Sequence, residues 1–254
     1  MEMISAEALA YDLHTHSTFS DGNNAPVHMA KVVSSYGMKG VIIADHIFSE
    51  KDADELLEKQ RGVVFPETDC KFRFGAEIAM KDVDGTPAAT PEQQKNFKFL
   101  LLDFNYVVFN KIAELNKSKE YNRDLICDLM LKACEYERIQ VMAHPFNCGM
   151  EPLYLPLSAF DDARVEKIAA AFAANNKVFE LMNTMMFWHR DGSYEEFERE
   201  YLRITRIFKA AGVRFSISSD AHTSSSVGNF RWAAAFAGKL GVLDELYIPK
   251  ELFA

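Results

Sequence analysis

The chain has 254 residues, 48% of them hydrophobic and 26% charged, so it can bury a substantial core and is not a disordered segment. Its formal net charge of −9 makes nucleic acid an unfavourable partner, because binding to a phosphate backbone needs clustered Lys and Arg. Residues 1–10 carry no basic leader, and no apolar run reaches membrane-spanning length, so we expect a cytoplasmic protein that does not enter membranes.

Short apolar runs alternate with helical patterns along the chain. We predict strands near residues 9–13, 41–44, 71–76, 97–104, 139–143, 177–182 and 213–218. The predicted helices cover residues 26–36, 52–60, 106–115, 120–137, 161–174, 193–211 and 229–238, and residues 81–94 are typical of a loop. Nearly continuous apolar strands separated by helices indicate an α/β fold with a parallel sheet. No Gly-x-Gly-x-x-Gly turn follows the first strand, so a barrel is favoured over an open sheet. The absence of a linker or repeat predicts one domain over residues 1–254.

Metal-ligating residue types follow five of the predicted strands. His14 and His16 lie two residues apart at the end of the first strand, so both side chains project from the same face. Asp220 and His222 repeat this spacing after the last strand. Strands between them end in His46, Glu77 and His144. Because parallel strands of a barrel open at one C-terminal mouth, we expect these side chains to converge there.

This convergence predicts a metal centre. Asp21 lies in the loop after the first strand and can return to the same mouth. Mixed imidazole and carboxylate ligands suit zinc, manganese or iron, and disfavour magnesium or calcium as the only metal. Eight ligand candidates exceed the needs of one ion, so we expect two or three divalent transition metal ions, with Glu77 as the natural bridge.

The ordered motifs resemble the PHP (polymerase and histidinol phosphatase) superfamily of metal-dependent phosphoesterases over roughly residues 11–230. They are His-x-His-Ser at 14–17, Ser-Asp-Gly at 20–22, Asp-His at 45–46, Gly-Ala-Glu at 75–77, His-Pro at 144–145 and Ser-Asp-Ala-His at 219–222. The resemblance implies a distorted (β/α)7 barrel with its metal site at the C-terminal mouth of the strands. By position, it implies three ligand sets: His14, His16, Glu77 and Asp220; Asp21, His46 and His222; Glu77 and His144.

One departure from the family pattern concerns the third set. The family usually supplies a further histidine at the start of the strand between the Glu77 and His144 positions, but this chain has none between residues 47 and 143. We expect Phe99 or Leu100 in that place, and therefore expect the site shared by Glu77 and His144 to be the weakest of the three.

The resemblance implies hydrolysis of a phosphate ester of a small metabolite or nucleotide by a metal-activated hydroxide, with Glu77, Asp220 and His144 as catalytic residues. The motif at residues 20–22 is more similar to small-molecule and nucleotide phosphatases than to polymerase-associated domains, which favours a monoester. Two alternatives stay open. One is a catalytically silent metal-binding or regulatory module, suggested by the absent histidine. The other is an amidohydrolase-type C–N hydrolase, which also begins with His-x-His.

Four further residues are candidates for binding a small phosphorylated substrate. Asn183, His189 and Arg190 follow the sixth strand, although a solvated loop is an equal interpretation for them. Arg231, near the start of the last helix, could hold a phosphate group. Glu180 lies within a strand, where a structural role is favoured. The sequence does not identify the substrate, the physiological metal, the general acid or the oligomeric state.

Overall fold

Parallel strands alternate with helices in the computed structural model, which describes residues 7–104, 118–149, 153, 155–190 and 192–254. The strands are β1 (Tyr11–Thr15), β2 (Gly40–Ile43), β3 (His46–Ile47), β4 (Lys71–Phe74), β5 (Ala76–Ala79), β6 (Leu100–Asp103), β7 (Val141–Met142), β8 (Val178–Met182) and β9 (Arg214–Ser218). The α-helices are α1 (Pro26–Val33), α2 (Glu50–Arg61), α3 (Pro91–Gln94), α4 (Lys119–Cys134), α5 (Asp162–Ala174), α6 (Tyr194–Ala210), α7 (Arg231–Leu240) and α8 (Lys250–Phe253).

These strands form two parallel sheets that together make a ring. One sheet has the order β1-β2-β4, and the other has the order β3-β5-β6-β7-β8-β9. The amide of Gly75 donates to the carbonyl of Ile43 at 2.9 Å, and the amide of Glu77 donates to that of Asp45 at 3.1 Å. Thus β2 with β3, and β4 with β5, form two interrupted strand paths, which gives seven strand positions.

The first and last strands meet at a single point rather than along a ladder. Thr15 and Ala221 form an isolated parallel bridge, and the amide of His16 donates to the carbonyl of Ala221 at 2.8 Å. This weak closure and the two interrupted strands distort the ring. The structure confirms the predicted fold class, a distorted (β/α)7 barrel.

Alternation along the strands separates the barrel interior from the layer beneath the helices. In β8, Phe179 packs against Phe172 and Phe208 of the surrounding helices, so Val178 and Glu180 face the opposite side. Val178 belongs to a small buried cluster inside the barrel, whose members are Leu13, Ile42, Ala44, Phe99, Leu101, Val141, Ala143 and Val178. This apolar cluster fills the lower part of the barrel interior. The polar residues nearer the C-terminal ends of the strands form the mouth above it.

The strand β6 corrects one sequence prediction. Leu100 begins this strand, and Phe99 lies before it within the interior cluster. The parallel register pairs Leu101 with Glu77 and Ala79 with Asp103, so Asp103 is the residue at the mouth end. The expectation that Phe99 or Leu100 takes the place of the absent ligand is wrong, because sites in a parallel barrel form where strands end.

Most predicted elements are confirmed to within a few residues. The predicted loop at 81–94 contains the short helix α3 at its end, and α8 was not predicted. The helix predicted at 106–115 lies outside the described residues. No helix in the described part of the chain is both long enough and apolar enough to cross a membrane.

Candidate metal centre

Two buried imidazoles stand at the end of β1. His14 and His16 have no solvent exposure, and their Nε2 atoms lie 3.0 Å apart. The rings are inclined by 56°, with centroids 4.9 Å apart. Two ring nitrogens at this separation can share one proton or face one ion, which is the geometry expected of a pair of metal ligands.

A tight turn after β1 returns Asp21 to the mouth. The buried carboxylate of Asp45 accepts hydrogen bonds from the amide and hydroxyl of Ser17 at 2.7 and 2.8 Å, and from the hydroxyl of Ser20 at 2.8 Å. At Gly22, a Cβ atom would lie 2.4 Å from the carbonyl oxygen of His16, so only glycine fits there. As a result, Oδ2 of Asp21 lies 3.2 Å from Nε2 of His222 and 3.6 Å from Nε2 of His46.

Glu77 is at the centre of the site. It is fully buried within β5, and both its oxygens face imidazoles. Oε2 lies 2.9 Å from Nδ1 of His46, 3.2 Å from Nε2 of His14 and 3.5 Å from Nε2 of His16. Oε1 lies 3.1 Å from Nε2 of His144. Because its two oxygens face different histidines, this carboxylate has the arrangement of a bridging ligand.

The ligand candidates form three overlapping groups in which one atom from each residue lies within 4.8 Å of the others. The groups are His16, Asp21, His46 and His222; His14, Glu77 and His144; and His14, His16 and Asp220. All eight predicted ligands therefore come together at one mouth. The grouping differs from the sequence-based sets, because His16 joins the Asp21 group and His14 joins the group of Glu77 and His144.

The chemistry of these atoms fits divalent transition metal ions. Within the described part of the chain, Nδ1 of His16, Nδ1 of His46 and Oε2 of Glu77 are buried without a hydrogen bond of acceptable angle, although Oε2 lies only 2.9 Å from Nδ1 of His46. Buried polar atoms are normally satisfied, and these three belong to groups of imidazole and carboxylate ligands. Bound ions would satisfy all three atoms, which hydrogen bonds within the described chain do not.

At most of these residues, neighbouring charges and hydrogen bonds shift the pKa more than burial does. Burial opposes ionisation of Glu77, but the imidazoles of His14 and His46 hold its pKa well below the usual range. Burial likewise favours neutral His144, whereas the hydrogen bond and negative charge of Glu77 raise its pKa to about 9. For His222, Asp21 and Asp220 outweigh burial and raise the pKa to about 9. These imidazoles must lose protons to ligate metal, so metal binding competes with protonation.

Two of the ligand candidates have unusual backbone conformations. The φ angles of His144 and Asp220 are +31° and +52°, in the left-handed region that non-glycine residues rarely adopt. Buried carboxylates hold both positions. Glu180 accepts a 2.7 Å hydrogen bond from the amide of His144, and Asp12 accepts hydrogen bonds from the amide and hydroxyl of Ser219 at 3.1 and 2.5 Å.

Glu180 also orients His14, and sequence reasoning favoured only a structural role for it. It is fully buried, and its Oε1 accepts hydrogen bonds from Nδ1 of His14 at 2.9 Å and from the hydroxyl of Ser218 at 2.7 Å. A hydrogen on Nδ1 leaves the lone pair of His14 on Nε2, the atom that faces Glu77 and His16. Glu180 is therefore a positioning residue for ligands in two of the groups.

Asp103 is a further residue that sequence reasoning missed. It is 7% exposed at the mouth end of β6, beside the end of β5. Its negative charge is among the causes that raise the pKa of His46 and that of His144. The signal that could have found it is its position at the end of a strand that was otherwise assigned no ligand.

The four predicted substrate-binding residues lie outside the three ligand groups. Oδ1 of Asn183 accepts hydrogen bonds from the amides of Trp232 and Ala233 at 2.9 and 3.2 Å, so this atom caps the N-terminus of α7. Nε2 of His189 donates to the carbonyl of Phe146 at 3.1 Å, and Nε of Arg190 donates to that of Phe187 at 3.1 Å. Arg231 is exposed at the first position of α7.

The fold and the site together define the class of protein, an α/β barrel with overlapping groups of potential metal ligands at its mouth. The sequence matches the pattern of the PHP domain over residues 12–219, so the chain belongs to the PHP domain family. It is similar to a protein of Proteus mirabilis (strain HI4320) named probable phosphatase, with 26% identity over 94% of this chain and 87% of that protein. A probable phosphatase of Thermoanaerobacter sp. (strain X514) is 23% identical over 96% of this chain and 91% of that protein.

A solved structure shares the fold. Histidinol phosphate phosphatase from Lactococcus lactis subsp. lactis, complexed with zinc, L-histidinol and phosphate, superposes with a TM-score of 0.63. The superposition covers 91% of this chain and 93% of that chain, at 15% sequence identity. At this identity the similarity shows the shared barrel. Family membership and the names of the curated relatives support a hydrolase.

Proposed function

We propose that this protein is a metal-dependent phosphoesterase that hydrolyses a phosphate monoester of a small metabolite or nucleotide in the cytoplasm. The observation that carries the proposal is the position of Glu77, whose two oxygens contact four imidazoles from three strands. The probable phosphatases among the relatives, and the phosphate bound by the Lactococcus lactis protein, support it.

The ligand groups would hold two or three zinc, manganese or iron ions. When bound, such ions supply a water that ionises near neutral pH and neutralise charge on the phosphoryl oxygens. Glu77 would fix the separation of two neighbouring ion positions, because its Oε1 and Oε2 face different groups. His144 and Asp220 would hold their ligand atoms in place through the backbone conformations that Glu180 and Asp12 stabilise.

Access to the centre indicates where the substrate enters. The side chains of Glu77, His14 and His16 have no exposure, whereas those of Asp21 and His222 are 54% and 36% exposed. The substrate therefore approaches from the side of Asp21 and His222. Its phosphoryl group would meet the ligands first, and the alcohol moiety would lie towards solvent.

The charge distribution favours a small substrate over a nucleic acid. The chain carries 37 acidic and 28 basic residues, and its formal net charge is −9. A polyanion would be repelled by this surface, while a single phosphate group would be drawn to bound cations at the mouth. A monoester, with two negative charges near neutral pH, would gain more from those cations than a diester would.

Two rival functions make different predictions. A catalytically silent metal-binding module would bind the same ions without turnover. An amidohydrolase-type C–N hydrolase would cleave amides, but the central Glu77 and the PHP family assignment favour phosphoester chemistry. Turnover on a generic phosphate monoester distinguishes the proposed enzyme from both.

The test is reconstitution followed by a substrate screen. Protein stripped with a chelator is loaded with manganese, zinc or iron, and its metal content is measured by elemental analysis. Phosphate release is then followed on a panel of monoesters, on a bis-ester of one of the same alcohols, and on matched amides. We expect more than one equivalent of metal and faster cleavage of the monoester. No metal uptake, or metal uptake without cleavage of any phosphate ester, would refute the proposal.

A further inference from the structure

A cavity of about 280 Å³ opens directly beside the metal centre. Asp21 and His46, which belong to one ligand group, line one side of it. The loop after β1 and the helix α2 supply the remaining walls. A phosphoryl group held at the ligand residues would therefore have this cavity as its neighbour, on the exposed side of the centre where Asp21 lies.

The cavity walls are mainly apolar and aromatic. Phe48 stacks against His46, with ring centroids 4.8 Å apart and planes inclined by 24°, and it is 36% exposed. Phe19 packs on Phe74 in a similar stacked geometry at 6.1 Å. Leu56 of α2 is 2% exposed and also lines the cavity. Such a surface favours a flat apolar group, because ring contacts add to the gain from burying apolar area.

The charged residues around the cavity are mostly acidic. Asp52 and Glu55 of α2 line it together with Asp21, and Lys59 is the basic side chain among its lining residues. The Lys59 ammonium donates to the carbonyl of Phe19 at 3.2 Å and lies 6.0 Å from the centroid of its ring. With three carboxylates and one ammonium, the cavity disfavours an alcohol that carries its own negative charge.

We propose that this cavity binds the alcohol moiety of the substrate, and that this moiety is a single-ring or similarly flat apolar group without negative charge. The volume of about 280 Å³ is near the lower end of ligand pockets and accommodates one ring rather than an extended polymer. The inference rests on the proposed function, because the metal centre anchors the phosphoryl group. It goes further in assigning the chemical class of the leaving group and the residues that select it.

The test uses phosphonates, which bind without being hydrolysed. Metal-loaded protein is titrated by calorimetry with ethylphosphonate, benzylphosphonate and 4-carboxybenzylphosphonate, and each affinity is expressed relative to ethylphosphonate for the same variant. We expect benzylphosphonate to bind about tenfold more tightly, as ring burial and stacking imply. The 4-carboxyl group should remove most of that advantage. Equal affinities for the benzyl and ethyl compounds would overturn the inference.

Three variants test whether residues of this cavity cause the preference among the phosphonates. Phe48→Ala should reduce the benzyl advantage to about twofold, because the aromatic wall is lost. Glu55→Gln should increase the relative affinity of the 4-carboxybenzyl compound about threefold. Glu58→Gln is the matched control: it removes the same charge from the same helix, but its side chain is 81% exposed and does not line the cavity. A benzyl advantage that survives in Phe48→Ala, or a change in Glu58→Gln equal to that in Glu55→Gln, would place the ring elsewhere and refute the assignment.

Failure of this inference and failure of the proposed function give different results. Selective phosphonate binding without cleavage of any monoester would retain the cavity assignment and refute the esterase. Monoester cleavage with no preference among the phosphonates would retain the esterase and refute the cavity assignment. Thermal unfolding and metal content of each variant establish that the compared proteins are folded and equally loaded.

Discussion

Oε1 of Glu180 accepts a hydrogen bond from Nδ1 of His14 at 2.9 Å, on the buried side of the candidate metal centre. The same carboxylate accepts hydrogen bonds from the amide of His144 and the hydroxyl of Ser218, so it joins three strand ends. Since all these donors need an acceptor, the carboxylate fixes the tautomer of His14 and the backbone of His144 together. The geometry of the ligand candidates at the mouth therefore depends on a residue outside the three groups.

Glu180→Gln should lower metal affinity about 10-fold to 100-fold, the usual cost of losing a carboxylate behind a ligating histidine. Glutamine has the same shape, but its single oxygen cannot accept from all three donors, so at least one is left unsatisfied. Competition titration against a coloured chelator measures the affinity. Glu166→Gln, on the exposed face of α5, is the control. Unchanged affinity in Glu180→Gln would mean that packing alone orients His14.

Glu77→Gln should abolish most activity, by about 100-fold or more, while the protein stays folded. The amide offers one ligand oxygen instead of two, so the spacing between neighbouring ion positions is lost. Steady-state phosphate release, metal content and circular dichroism are measured on the same sample. Glu92→Gln is a fair control, because its side chain is 81% exposed on α3. Full metal content with retained activity would show that the bridging ligand lies elsewhere.

The eight ligand candidates could be predicted from the sequence, because seven of them come at or after the end of a predicted strand and Asp21 lies in the loop after the first strand. Parallel strands bring their C-terminal ends together, so the positions of His46, Glu77 and His144 in the chain were sufficient to predict their convergence. Which atoms would share an ion could not be read in this way. That grouping depends on distances of about 3 Å, such as the one between His14 and His16, and strand order does not fix such distances.

Sequence reasoning did not give the roles of the buried carboxylates behind the site. Glu180, Asp12 and Asp45 accept hydrogen bonds that fix ligand-bearing segments, yet a carboxylate within a strand pattern gives no sign of its partners. The error at Phe99 and Leu100 has a different cause. The place of the absent ligand was expected at the start of the predicted strand 97–104, whereas the side chains at the mouth come from its other end, where Asp103 lies.

Asp103→Asn should lower metal affinity at the group of His14, Glu77 and His144 by about threefold to tenfold, because a nearby negative charge is removed from a buried site. This group has three described ligands against four in the group of Asp21, so we also expect it to fill after that group in the unmodified protein. Anomalous scattering from crystals grown at limiting manganese gives the occupancies. Asp84→Asn, exposed in the loop after β5, is the control. Equal full occupancy in both proteins would contradict both expectations.

His189 should make folding stability depend on pH in the acidic range. Burial lowers its pKa to about 4 from an ordinary value of 6.5, and its hydrogen bond to the carbonyl of Phe146 opposes this only in part. A lowered folded-state pKa gives a stabilising contribution that is present above pH 6.5 and is lost as the pH falls through 4. His189→Gln keeps a donor for that carbonyl but cannot titrate, so its free energy of unfolding should fall less between pH 7 and pH 4.5.

Urea unfolding at both pH values gives the change in the free energy of unfolding for the variant and for the unmodified protein. Chelator is present throughout, so that metal binding does not contribute. His28→Gln is the control, because it removes a histidine whose side chain is exposed on α1. An identical pH dependence in His189→Gln and the unmodified chain would show that the acid sensitivity arises at other groups.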